Sequence, residues 1–209
     1  MSEITLDTIE RGMKATCGTV LRNEIYFCEL DALAGDGDFG NSLAAGFRVI
    51  EQDLPTLDKS TINGWLLKIS MIISKHTGGS SGPLWGTAFM RAGMVAADKA
   101  DLTPQDFVAM MRSSIEGMKK RGQSDLGDKT LLDSFVPAVD EFEKQINAGK
   151  SAAEALKSAA VVARQATEEM KPWVAKRGRA SYTGDRSCNT YDAGSIAVAT
   201  MAENVAKVW

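Results

Sequence analysis

The sequence is poor in the residues that build disulfide frameworks and zinc sites. Among its 209 residues are three cysteines and a single histidine, His76. Cys17, Cys28 and Cys188 show no C-x-x-C spacing. An odd number of scattered cysteines argues against a disulfide scaffold, and one histidine argues against a Cys/His zinc site. We therefore expect a reducing, cytoplasmic setting.

Two further absences concern partners. No apolar run is long enough to span a bilayer, and the first residues are polar and charged where a signal peptide has its apolar segment. The 24 basic and 27 acidic residues give a net charge of -3, and no dense Lys/Arg block occurs. The sequence thus predicts a soluble protein with neither a membrane nor a nucleic acid as partner.

Strand-like alternation is also scarce, whereas apolar residues recur at helical spacing through most of the chain. Thr103 before Pro104, and Ser151 three residues before Glu154, are typical helix starts. Pro137 should kink its helix or mark an irregularity. We predict a single all-α domain over 1–209, an up-and-down bundle or barrel of about eight antiparallel helices. The predicted helices are 4–22, 24–34, 40–54, 60–76, 81–98, 104–121, 129–147, 151–171 and 191–208.

Four stretches rich in glycine and small polar residues interrupt this helical pattern. They lie at 34–42, 77–86, 121–130 and 178–195. An even number of predicted helices separates each stretch from the next. In an up-and-down arrangement the four loops therefore meet at the same end of the bundle, where they would form one open mouth.

The first stretch carries the strongest chemical signal, because Asp31, Asp36 and Asp38 fall within eight residues of apolar sequence. Carboxylates this close repel one another unless a cation lies among them. The spacing lacks the longer loop and final Glu of an EF-hand, so Mg²⁺ fits better than Ca²⁺. The alternative is a solvated acidic turn in which Asp38 caps the next helix. A carboxylate at Asp31, on an apolar helix face, disfavours that alternative because its burial is costly without a partner.

The other stretches add groups that suit phosphate. Ser80 and Ser81 follow two glycines just before a predicted helix, whose N-terminal N–H groups could hold an anion. Arg179 lies in a basic, glycine-rich loop, and arginine is a common phosphate partner. Each feature alone is equally consistent with an ordinary turn or a solvated loop. Together, carboxylates, a Gly-Ser turn and arginine predict a Mg²⁺-nucleotide site.

The order and spacing of four motifs resemble one known family. The motifs are L-x-x-L-D-x(4)-G-D-G-D-x-G, G-G-x-S-G-P-L-x-G, G-x(4)-G-D-K-T-x-x-D and G-R-A-S-Y-x-G-x-R-S. From about residue 5 to residue 207 the chain is similar to DhaL, the nucleotide-binding subunit or domain of dihydroxyacetone kinases. That resemblance implies an eight-helix antiparallel barrel with the nucleotide, ADP or ATP, held at its open end.

The resemblance also implies the residues of the site. Two Mg²⁺ ions would be held by Asp31, Asp36 and Asp38, with Leu131 an apolar contact of the adenine and Arg179 a phosphate contact that stabilises charge without acting as a covalent nucleophile. The implied nucleotide contacts are Phe39, Gly40, Asn41, Ser42, Ser80, Ser81, Gly122, Leu131, Arg179, Asp192 and Gly194.

In such a family this subunit passes phosphate to a ketose held on a separate DhaK-like subunit. The ketose would be dihydroxyacetone or a relative such as erythrulose. The nucleotide would be either a retained ADP, rephosphorylated by a phosphotransferase-system protein, or an exchanging ATP. A regulatory ADP-binding protein with little catalysis is the alternative from another class. The chain departs from the family pattern at Phe39, which stands where histidine is usual and cannot donate a hydrogen bond to phosphate.

Overall fold

The computed structural model describes residues 4–97 and 99–209, and over these residues the secondary structure is almost entirely helical. The only strand-like pairing among them is an isolated bridge between Ile4 and Leu102. The all-α prediction is thus confirmed. The helices are α1 (Leu6–Arg22), α2 (Glu24–Ala32), α3 (Phe39–Asp53), α4 (Ile62–His76), α5 (Ser81–Ala96), α6 (Pro104–Gly122), α7 (Leu132–Asn147), α8 (Ala152–Met170) and α9 (Ala193–Val208), with a 3-10 helix at Arg179–Ser187.

Eight of these helices form a closed ring. Each of α3 to α8 packs against the next helix along the chain, and α1 closes the ring by packing against both α9 and α3. The ninth, the short α2, lies beside α3 and α9 near the connection that leads into the acidic stretch. The prediction of a barrel of about eight helices is therefore confirmed, and α2 is additional to the ring.

The core lies inside the ring and is continuous. Trp65, Phe27 and Phe47 are its largest fully buried side chains. Small residues let neighbouring helices approach, as on α8, where six alanines are buried, at positions 152, 155, 159, 160, 163 and 166. None of the helices in the described ranges combines the length and the apolar run needed to cross a bilayer.

Several predicted helix ends differ from the structure. α7 begins at Leu132 and not at 129, because Lys129 has a left-handed backbone with φ of 60° that no helix can include. α5 ends at Ala96, and the predicted end at 98 lies outside the described residues. The assigned helix α7 runs without a break through Pro137. The 3-10 helix at Arg179–Ser187 had no counterpart in the prediction.

Helix starts at Thr103 and Ser151 were predicted correctly. Both form capping boxes, in which the hydroxyl accepts the N–H of the third helical residue and that residue's carboxylate accepts the N–H of the cap. Thr5 and Thr61 also cap α1 and α4 through their side chains. The bridge of Ile4 to Leu102 places the starts of α1 and α6 at one end of the barrel. This end is closed by ordinary side-chain caps.

Gly40 brings α3 against α2. A methyl group on its Cα would lie 1.9 Å from the carbonyl oxygen of Glu24 and 2.9 Å from the nitrogen of Cys28. Both neighbours are backbone, so neither can turn aside. Glycine at this position is therefore a packing requirement of the α2–α3 pair.

We predict that Gly40→Ala lowers the free energy of unfolding of the nucleotide-free protein by about 2 kcal/mol, because overpacking forces the backbone of α2 and α3 apart. Chemical denaturation measures the change. Gly12→Ala is the matched control, since its new methyl would sit at an ordinary 3.4 Å from Trp209 and alanine favours a helix. Equal stability of the two variants would contradict the packing role.

Candidate functional site

The four glycine-rich stretches meet at one cavity of about 260 Å³ at the end of the barrel opposite the capped helix starts. Residues from every one of the four stretches line it, as the loop parity predicted. Of the expected site residues, those on its wall are Asp31, Asp36, Asp38, Phe39, Ser42, Ser80, Ser81, Gly122, Leu131, Arg179, Asp192 and Gly194.

Two of the expected nucleotide contacts lie elsewhere. Gly40 is buried in the α2–α3 contact described above, and Asn41 is exposed with its backbone N–H directed at the sulfur of Cys28 at 3.3 Å. Neither lines the cavity. The reason is helical geometry: α3 begins at Phe39, so Gly40 and Asn41 turn toward α2, and Ser42 returns to the mouth.

The three aspartates form a compact acidic cluster. One carboxylate oxygen from each of Asp31, Asp36 and Asp38 lies within 4.8 Å of the others. Oδ2 of Asp31 accepts the backbone N–H groups of Gly37 at 2.8 Å, Asp38 at 3.2 Å and Phe39 at 3.4 Å. This fixes the carboxylate of Asp31 and leaves its other oxygen for a ligand. Three converging carboxylates are a donor set that fits Mg²⁺.

The protonation of the cluster depends on its burial. Desolvation raises the pKa of Asp31, the three N–H bonds act against that rise, and the charge of Asp36 adds to it. A bound divalent cation would favour the ionised form. Asp38 occupies the cap position of α3 but makes no side-chain cap bond. The capping alternative for Asp38 is therefore wrong, and Asp31 supplies the N–H acceptor in its place.

Four helix N-termini surround the cavity. First-turn or cap residues of α3, α5, α7 and α9 all line it, because every second helix of the ring starts at this end. The cap residues of α3, α5 and α7 make no side-chain cap hydrogen bond, in contrast to those of α1, α4, α6 and α8. Asp31 accepts the N–H of Phe39 at the start of α3, and the hydroxyl of Thr130 accepts that of Leu132 at the start of α7. The start of α5 has no side-chain cap, so it offers N–H donors and the partial positive charge of a helix N-terminus. The mouth therefore favours an anion beside the carboxylates.

The start of α5 is shaped for close approach. Gly79 has φ of 59°, and Gly82 sits where a methyl group would lie 2.4 Å from the carbonyl oxygen of Thr77. Ser80 and Ser81 thereby lie on the cavity wall. This arrangement is suited to a phosphate group.

Two arginines of the long segment between α8 and α9 reach the mouth. Nη2 of Arg179 lies 3.2 Å from Oδ2 of Asp36, and Nε of Arg177 lies 3.7 Å from Oδ2 of Asp128. Both guanidinium groups are more than half exposed. Arg179 is thus held beside the acidic cluster by an ion pair that a phosphate and a metal ion could replace.

One side of the cavity is apolar. Leu84, Met118 and Leu131 contribute to its wall, and Phe39 packs with its ring centroid 6.2 Å from that of the buried Phe27. The apolar side could accept a flat ring such as a purine. Leu131 was predicted there, whereas Leu84 and Met118 were not, because their spacing on α5 and α6 is that of ordinary core residues.

Two polar residues that sequence reasoning left without a role shape the loop before α7. The carboxylate of Asp133 accepts the N–H groups of Gly127 at 2.6 Å and Thr130 at 2.8 Å. Lys129 is 2% exposed, and its ammonium donates to three backbone carbonyls. The G-D-K-T-x-x-D motif contains both residues, but no spacing rule shows that a lysine in such a loop is buried.

Asp192 lies on the cavity wall at the start of α9. Its carboxylate accepts the N–H of Ser195 at 2.6 Å. Burial raises the pKa of Asp192 to about 7; the charge of Asp133 adds to this rise, and that of Lys129 opposes it. The carboxyl group therefore remains largely protonated in the folded protein under conditions in which the unfolded chain has ionised it.

The pKa of Asp192 predicts a pH dependence of stability. The folded protein binds one more proton than the unfolded chain between about pH 4 and pH 7, so its stability should fall as pH rises through that window. Asp192→Asn keeps the helix cap and should flatten this fall, by on the order of 3 kcal/mol at pH 8. Denaturation across pH in the presence of a chelator measures it, with Asp7→Asn on α1 as control. An unchanged slope in Asp192→Asn would refute the prediction.

Comparison with known proteins identifies relatives of this chain. Residues 33–207 match the family model of the DAK2 domain. The chain is 33% identical, over 91% of both chains, to the PEP-dependent dihydroxyacetone kinase, ADP-binding subunit DhaL, of Escherichia coli strain K12. It is 34% identical to the L-erythrulose 1-kinase of Mycolicibacterium smegmatis, of which it covers 31%.

The fold is also that of a solved kinase. The native dihydroxyacetone kinase of C. freundii superposes with a TM-score of 0.79 at 22% identity. The same enzyme in complex with AMP-PNP and Mg²⁺ gives 0.76 at 24% identity. The chain is covered to 99% in both, but spans only about a third of the solved chain, 36% and 35%. The sequence match and the shared fold together show that the chain belongs to the DAK2 domain family, with the DhaL subunits among its relatives.

Proposed function

We propose that this chain is the nucleotide-binding subunit of a short-ketose kinase of the dihydroxyacetone kinase type. One observation carries the proposal: three converging carboxylates, the uncapped start of α5 and Arg179 all face one cavity. Carboxylates alone would repel a phosphate chain, and positive groups alone would not hold a metal ion. Their combination suits a Mg²⁺-nucleotide, and the relative from E. coli is named an ADP-binding subunit.

Different groups of the cavity would bind the metal ion and the phosphates of the nucleotide. Asp31, Asp36 and Asp38 would hold Mg²⁺, two ions if the family resemblance extends to their number. When bound, the metal would supply charge neutralisation at the phosphate oxygens. The N–H groups at the start of α5 and the hydroxyls of Ser80 and Ser81 would orient the phosphates.

Arg179 and the apolar wall would complete the grip on the nucleotide. Arg179 can leave Asp36 for a phosphate oxygen, since both are exposed enough to separate without burying a lone charge. Leu131 and Leu84 would pack on the adenine ring, with Gly122 and Gly194 allowing close approach. No residue of the site is required as a covalent nucleophile, because phosphoryl transfer depends mainly on positioning and charge stabilisation.

The acceptor would be bound elsewhere. A nucleotide would occupy the cavity of about 260 Å³, so the ketose would be presented by a second, DhaK-like subunit that docks at the mouth. Dihydroxyacetone and erythrulose both appear in the names of relatives. Relatives named PEP-dependent and PTS-dependent favour a retained ADP recharged by a phosphotransferase-system protein over an exchanging ATP. In this proposal residues 1–209 act as one DhaL-like domain.

The first prediction from this proposal concerns the metal cluster. Asp36→Asn and Asp38→Asn should each weaken Mg²⁺-dependent ADP binding at least tenfold, because each substitution removes one of three anionic ligands. Titration calorimetry with and without Mg²⁺ measures the affinity, and the gain in melting temperature on adding Mg²⁺ and ADP should shrink in parallel. Asp53→Asn, at the far end of α3, is the matched control. ADP affinity equal to that of the unaltered protein in both site variants would rule out the assignment.

The second prediction concerns turnover. Mixed with a DhaK-like subunit and either dihydroxyacetone or erythrulose, the protein should transfer phosphate from its bound nucleotide to the ketose. The assay compares ATP with a phosphoenolpyruvate-driven phosphotransferase mixture as the donor, and the preferred ketose is read from the relative kcat/KM. Turnover with ATP alone would identify the exchanging mode. Tight MgADP binding without transfer to either ketose from either donor would instead favour the regulatory reading.

A further inference from the structure

The buried ammonium of Lys129 links the loop between α6 and α7 to both ends of the segment between α8 and α9. It donates to the carbonyl oxygens of Lys171 at 2.8 Å, Trp173 at 2.8 Å and Ser187 at 2.6 Å. We call residues 171–190, the segment between α8 and α9, the strap. Lys171 and Trp173 lie at the beginning of the strap, and Ser187 lies near its end. Lys129 itself belongs to the loop between α6 and α7 that presents Leu131 to the cavity.

The geometry fixes the charge state of this lysine. A protonated amine has three N–H donors and no lone pair, whereas a neutral amine would direct a lone pair at one of the carbonyls. Burial lowers the pKa of Lys129, while the nearby Asp192 raises it. Three acceptors for three donors therefore require the ammonium form. The Lys171 carbonyl also lies just past the end of α8, where positive charge is favoured by the helix dipole.

Placing Lys129 here is energetically unfavourable in two respects, which indicates that the arrangement has a function. Lys129 has φ of 60°, a left-handed conformation that is unfavourable for a residue with a side chain. A buried lysine also gives up its hydration. The hydrogen bonds of the ammonium offset both costs, and all three are donated to carbonyls of the strap. They are not needed to close the barrel, since α7 and α8 pack directly against each other.

The base of the strap is held by backbone hydrogen bonds, whereas its tip reaches the rest of the mouth through the exposed ion pair of Arg179 with Asp36. Ala175 donates its N–H to the hydroxyl of Ser187 at 2.9 Å, and Lys176 donates its N–H to the carbonyl of Asp128 at 3.0 Å. The tip lies between Gly178, with φ of 71°, and Gly184, with φ of 57°, and its Tyr182 is 88% exposed. Arg179 lies in this tip, one residue beyond the first glycine.

We propose that Lys129 is a positioning residue for Arg179. Its ammonium fixes the base of the strap so that the tip, which turns at the two glycines, delivers the Arg179 guanidinium to the acidic cluster and to a phosphate. This inference rests on the proposed nucleotide site and extends it to a residue that does not line the cavity. Lys129 acts through the strap backbone and has no contact with the nucleotide.

A double-mutant cycle tests the coupling. Lys129→Met keeps the length of the side chain and removes all three donors; MgADP affinity should fall at least tenfold. Arg179→Gln should produce a similar loss, and adding Lys129→Met to Arg179→Gln should cost less than threefold more, because the residue that Lys129 positions is already absent. Lys157→Met, an exposed lysine on α8, is the control and should bind as the unaltered protein does.

A second comparison separates geometry from charge. Lys129→Arg keeps a positive charge, but its donors lie on a planar fork and cannot converge on three carbonyls as one ammonium does. Its MgADP affinity should therefore fall as in Lys129→Met. Wild-type affinity in Lys129→Arg, or fully additive losses in the double variant, would overturn the positioning role.

Hydrogen exchange on the unaltered protein keeps the test independent of whether the variants fold. The amides of Ala175 and Lys176 should exchange slowly with and without MgADP, whereas those of Ala180 to Tyr182 should slow only when MgADP is bound. Base amides that exchange as fast as the tip in the free protein would overturn the anchor. If the unaltered protein binds no MgADP, the proposed function fails, and the exchange pattern of the free protein still decides whether the strap base is fixed.

Discussion

The site depends on the alternation of direction in a closed ring of helices. Because neighbours in the ring are antiparallel, α3, α5, α7 and α9 all begin at the same end, and their N–H groups and dipoles point into one cavity. The opposite starts are closed by Thr and Ser caps. At the mouth, the start of α3 is served by Asp31 and that of α7 by Thr130, whereas the start of α5 has no side-chain cap. The topology thus gathers the positive ends of four helix dipoles at the mouth before any basic residue is considered.

Acidic residues lie among these helix N-termini, and their converging carboxylates are a donor set suited to a metal ion. Asp31 accepts three N–H groups at the entry to α3, and this stabilises negative charge that burial would otherwise disfavour. Asp192 is more deeply placed and accepts one N–H, and its pKa rises to about 7. Burial is the main cause of the raised pKa of both carboxyl groups, and the N–H donors oppose it, three at Asp31 and one at Asp192.

Much of this architecture could be predicted from the sequence. Helical periodicity predicted the helices, loop parity predicted the common mouth, and the spacing of Asp31, Asp36 and Asp38 predicted that their carboxylates converge. Periodicity could not show that Gly40 serves the α2–α3 contact, since a glycine looks the same beside a phosphate and beside a backbone carbonyl. Nor could it show that Lys129 is buried, because its three acceptors lie more than 40 residues further along the chain.

The departure at Phe39 can now be given a physical meaning. Its backbone N–H still reaches Asp31, so the turn that orders the cluster does not need a particular side chain at this position. Its ring instead packs on Phe27 and forms part of the cavity wall. A histidine there could offer a ring N–H to phosphate, whereas phenylalanine offers only apolar surface. In the proposed site, more of the phosphate charge would therefore be met by Mg²⁺, the start of α5 and Arg179, which makes the position of the strap that carries Arg179 more important.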